Sequence, residues 1–129
     1  MKKDMRILDL SLTYHWYDMI ASGEKKEEYR EIKDFYFKRL NKEYRLNLEL
    51  GCYMGCDEFV YNPTRCIGCK KFVSYPYEVI RFHRGQGGKE TMLVEFKGVH
   101  IGYGKHPEWG APSDKPVFII ELGKVIEKS

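Results

Sequence analysis

Two stretches of this chain gather side chains that do chemistry. The first is Gly23-Glu24-Lys25-Lys26-Glu27-Glu28-Tyr29-Arg30. The guanidinium of Arg30 offers a planar fork for phosphate or carboxylate, and the ammonium of Lys25 a compact point charge. Glu28 supplies an acceptor for an amino group or a partner for either cation. If the segment runs as a strand, side chains two apart share a face. Lys26, Glu28 and Arg30 then point one way. Lys25, Glu27 and Tyr29 point the other, unless the turn after Gly23 twists Lys25 back. Two blander readings compete. Lysine and glutamate runs usually mark a solvated edge, and a Glu28–Arg30 pair could shape a cleft without touching a ligand.

The second stretch holds all four cysteines, as Cys52-x3-Cys56 and Cys66-x2-Cys69. Two close pairs can each clamp one side of a tetrahedral zinc ion. The expectation is a structural zinc that holds an insertion too small to build its own core. A closed four-cysteine site leaves no open position for catalysis. Separately buried thiols are the alternative, with disulfides disfavoured in a reducing compartment.

Other candidates are single residues. Trp109 sits in a Pro-Glu-Trp-Gly-Ala-Pro loop and either stacks on a base or folds back as a cover. Arg81 and His83 share one face of a strand and suit a phosphate strip, or else an ordinary polar strand face. Glu95 interrupts an apolar strand and is most simply its outward residue. No nucleophile elbow, phosphate-cradling loop or Ser-His-Asp set is present.

The elements that must position these groups follow from pattern. Residues Met5 to Leu12 read as a strand, apolar and partly alternating. Thr13 is a plausible N-cap for a helix from Tyr14 to Ser22, with Trp16 in its core stripe. Gly23 suits the left-handed residue that closes such a helix. A second short helix spans Lys33 to Leu40, with Ile32, Phe35, Tyr36 and Leu40 as its apolar stripe. Strands follow at 78–84, 91–96 and 99–101. Gly85-Gln86-Gly87-Gly88 and Lys97-Gly98 serve as turns, and a long loop leads to a last strand from Val117. About five or six short strands and two early helices make an α+β domain. Strands this short in one small domain favour a closed or nearly closed barrel.

Gly23-x-Lys25-x-x-Glu28-x-Arg30, with the strand and helix before it, resembles the G-x-K-x-x-E-x-R signature of the ASCH domain family. The resemblance fills all four signature positions and resumes from Val79, leaving about residues 41 to 75 uncovered. It implies a PUA-like barrel that binds RNA or a modified nucleotide in a cleft lined by Lys25, Glu28 and Arg30. Arg81 and Trp109 are candidate additions. Some small ASCH-like proteins are amidohydrolases of acetylated cytidine, similar in using the motif lysine with a threonine and a glutamate. Here Glu28 occupies the threonine position. A carboxylate beside the lysine favours its ammonium, which is neither base nor nucleophile. Ribonuclease activity is claimed for other relatives. A protein-interaction module using the aromatic residues around the cysteines is a further alternative.

The 129 residues suit one domain, 1–129, with the cysteine-containing segment 46–76 inserted in it. A net charge of +3, from 22 basic and 19 acidic residues, excludes a nonspecific polycationic coat for nucleic acid. No apolar run approaches a membrane span, and Met1-Lys2-Lys3-Asp4 lacks a signal-peptide core, so a cytoplasmic protein without a membrane partner is expected.

Overall fold

A computed structural model describes residues 6–40 and 76–129. Cys52, Cys56, Cys66 and Cys69, and with them the expected zinc site, lie outside the described residues. The elements run β1 (Ile7–Leu12), α1 (Tyr14–Ala21), β2 (Glu27–Arg30), α2 (Asp34–Leu40), β3 (Val79–Arg84), β4 (Thr91–Gly102) and β5 (Val117–Lys128). The strands form one sheet in the order β1-β3-β4-β5-β2. β1 pairs with β3 in parallel, and β3 pairs with β4 antiparallel, so the sheet is mixed. This is a small α+β fold. Among the described residues no helix is long and apolar enough to cross a membrane.

The described residues divide into two compact units. One takes 6–28, 76–98 and 120–129, and the other takes 29–40 and 99–119. In the first unit the sequence alternation becomes burial. Leu8, Leu10 and Leu12 point inward from β1, while Ile7, Asp9 and Ser11 stay half-exposed. Register places Leu8 beside Ile80 and Leu10 beside Phe82, and then Ile80 beside Val94 and Phe82 beside Met92. All six are buried, and α1 adds Tyr17 and Ile20 to the same core. Each fully buried Leu, Ile or Phe contributes about 1.5–3 kcal/mol. A parallel pair needs a crossover connection. Here the chain between β1 and β3 contains α1, β2 and α2, so the signature segment lies within the crossover.

Two expectations change here. Lys97-Gly98 does not turn the chain, because β4 runs unbroken through it to Gly102. β4 has neighbours on both sides, β3 and β5, and this pairing overrides a local turn signal. The stripe expected on α2 is also incomplete: Leu40 is buried, but Phe35 is 56% exposed.

Candidate functional site

The geometry of the signature begins with the end of α1. Gly23 is left-handed, with φ +85°. Its N–H donates to the Ile20 carbonyl at 3.0 Å, and the Glu24 N–H donates to the Met19 carbonyl at 3.0 Å. This paired arrangement is a Schellman cap. The Lys25 N–H reaches the same Met19 carbonyl at 3.1 Å, which carries the tight turn one residue further.

The turn sets what Lys25 does. β2 starts only at Glu27. Lys25 therefore precedes the strand and is twisted inward, to 2% exposure, beside Glu28 at 5%. Lys25 Nζ lies 3.3 Å from Glu28 Oε1. Lys26, expected to share the Glu28 face, is exposed. The sixteenth residue, assigned above to the core, is half-buried Trp16, and Lys25 Nζ sits 4.8 Å from its ring centroid. His15 packs against the Trp16 ring at 4.6 Å. A buried ion pair carries a desolvation cost that only good geometry and added hydrogen bonds offset. An aromatic face over the ammonium contributes further attraction.

Arg30, the last residue of β2, belongs to the second unit. Its Nη1 donates to the Tyr36 hydroxyl at 2.8 Å. Tyr36, on α2, thus fixes one arm of the guanidinium. In the same unit Tyr29, Arg30, Glu31, Gly110, Pro112 and Lys115 line a cleft of about 280 Å³. Lys115 Nζ lies 3.6 Å from Glu31 Oε2, and Lys33 Nζ lies 4.0 Å from Glu31 Oε1.

Trp109 ends a short 3₁₀ turn, Pro107–Trp109. Its ring stacks on His106 at 4.0 Å and 24° and is half-buried, so it is partly covered by its own loop. His106 Nδ1 lies 3.1 Å from Glu108 Oε2. A backbone hydrogen bond, followed by His106, holds the Glu108 carboxyl below its ordinary value.

Arg81 is committed to Asp9. Its Nε donates to Asp9 Oδ1 at 2.6 Å and its Nη2 to Oδ2 at 3.0 Å. His83 Nε2 is 2.8 Å from the same Oδ1. The Arg81 hydrogen bonds, with help from His83, keep the Asp9 carboxyl below the usual range. Strand register explains the meeting, since Asp9 lies directly beside Arg81. Glu95 accepts the Lys124 N–H at 3.4 Å and lies 3.9 Å from Lys97, and it is half-buried.

The structure thus brings Lys25 and Glu28 together. It gives Arg30 to Tyr36, Arg81 to Asp9 and Trp109 to His106. Sequence reasoning missed Trp16, Tyr36 and Asp9 as partners. Asp9 alone carried a signal, as the one acidic residue in the apolar strand read from Met5 to Leu12. Among the described residues no group of three His, Cys, Asp or Glu side chains gathers to hold a metal ion. Comparison with protein-family models, curated proteins and solved structures gives no match for this chain.

Proposed function

We propose that this chain is an ASCH-type module, with a PUA-like barrel, that binds RNA or a modified nucleotide at Arg30, the buried Lys25–Glu28 pair being the structural part of the signature. One observation carries the reading: each signature residue has a separate structural assignment. Gly23 is the left-handed cap, Lys25 and Glu28 are a buried ion pair, and Arg30 is oriented by Tyr36. A solvated charged edge would leave these side chains exposed. The 3.3 Å contact also occupies the motif lysine with a carboxylate, which counts against its use as a catalytic base or nucleophile. The test is equilibrium binding of short RNAs and nucleotides to wild type and Arg30→Met. Arg30→Met should weaken binding at least tenfold, as loss of about 1.4 kcal/mol or more would. Unchanged affinity in a folded variant overturns the reading. The proposal includes a structural zinc on Cys52, Cys56, Cys66 and Cys69, which requires about one equivalent of zinc in reduced protein.

A further inference from the structure

We propose that the cleft beside Arg30 receives the phosphate of a single nucleoside monophosphate, with Arg30 and Lys115 as its cations and Glu31 as an internal competitor. This deepens the nucleotide reading above and rests on it. Size is the first argument. A volume of about 280 Å³ sits at the lower edge of small-molecule pockets. It suits one nucleotide-sized ligand.

Charge is the second argument. Two cations, Arg30 and Lys115, line the cleft against one carboxylate, Glu31. A phosphomonoester carries about −1.5 to −2 at neutral pH. It matches the two cations once Glu31 is displaced from Lys115. That displacement is easy, because the Glu31–Lys115 pair is long at 3.6 Å, and its side chains are 59% and 48% exposed. An exposed pair of this kind is worth at most about 1 kcal/mol.

Rigidity is the third argument. The Arg30 fork is already held by Tyr36 at 2.8 Å, so binding orders little of it. The Tyr29 wall is fixed as well. A Cβ on Gly104 would come within 2.8 Å of the Tyr29 ring and 2.6 Å of the Ala111 Cβ, so glycine lets the ring pack against bare backbone. Tyr29 then offers a set aromatic surface to a planar base.

The test is calorimetric titration of the common nucleoside monophosphates, their parent nucleosides and inorganic phosphate into wild type, Lys115→Glu and Glu31→Gln. Both substituted side chains are exposed, so folding is retained, and circular dichroism checks it. A monophosphate should bind at least about tenfold tighter than its nucleoside and than inorganic phosphate. Lys115→Glu should weaken it about tenfold or more, whereas Glu31→Gln should tighten it by up to about fivefold. Equal binding of the nucleoside overturns the phosphate site. Equal binding of inorganic phosphate overturns the nucleotide assignment. So does indifference to Lys115→Glu, or weakening by Glu31→Gln. RNA binding that depends on Arg30 but ignores Lys115 overturns this proposal and leaves the broader reading standing. Absence of any nucleotide or RNA binding overturns both.

Discussion

Lys25 and Glu28 lie where charge is most costly to keep, at 2% and 5% exposure. Removing one partner takes the 3.3 Å counter-ion from a buried charge, so Lys25→Met alone should destabilise the protein by about 3–5 kcal/mol. The double variant Lys25→Met/Glu28→Leu should recover most of that loss, because an apolar pair of similar volume has no desolvation cost. Urea unfolding of the two variants checks this, and equal losses would show that the pair is not the origin. Asp9 is different in kind, since its ion pair with Arg81 leaves both side chains about two-fifths exposed. Its folded-state pKa is lowered, chiefly by Arg81, so its stabilisation is present above the unfolded value of about 3.9. It is lost as pH falls below that value, through the lowered one. Solvent screening limits it to about 1 kcal/mol or less. Asp9→Asn should therefore melt lower than wild type at pH 7 and converge with it at pH 2. A gap that persists at pH 2 would assign the effect to packing. The sequence named Lys25, Glu28 and Arg30, but it placed Trp16 in the core and left Arg81 between a phosphate strip and an ordinary polar strand face. The partners that decide these roles, Asp9 for Arg81 and Tyr36 for Arg30, lie across the sheet or on the next helix.

The elements nearest the signature were the most legible. β1, α1 and the glycine stop after it follow from local pattern, because strand alternation, helix spacing and a left-handed cap are each written within a few residues. β4 was not legible in the same way. Its continuity past Lys97-Gly98 depends on neighbouring strands, which no local window contains. The α1 cap gives a clean test of the local argument. A Cβ at Gly23 meets nothing within 4 Å, so Gly23→Ala is strained only by the backbone angle of +85°. Left-handed geometry costs a non-glycine residue about 1–2 kcal/mol. The variant should lose about that much stability in denaturant unfolding. A neutral result would mean that the turn relaxes without cost. Gly104→Ala opposes Gly102→Ala for the other reason, close approach. At Gly102 the nearest side-chain atom is 3.8 Å away, whereas at Gly104 two side chains lie under 3.0 Å from the new atom. Overpacking of this kind costs about 1–3 kcal/mol. Thermal melts should separate the two variants, and similar melting points would count against a fixed Tyr29 wall.

At the scale of the whole chain, charge decides between two ways of holding nucleic acid. The net charge of +3 comes from 22 basic and 19 acidic residues. Several of the cations already face carboxylates: Lys25 with Glu28, Arg81 with Asp9, and Arg84 with Asp18 at 3.1 Å. Cations neutralised this way release few counterions when RNA arrives. For single strands the salt slope is about −0.7 for each phosphate neutralised. A module that grips one nucleotide through Arg30 and Lys115 neutralises about one to three phosphates. Its plot of log affinity against log salt should therefore fall with a slope of about −0.7 to −2. Titration of a short RNA between low and physiological salt measures this directly. A slope near −5 would describe a polyelectrolyte surface, and the single-nucleotide cleft would then not be the feature that binds. A slope in the expected range that flattens further in Lys115→Glu would tie the missing counterion to the cleft itself.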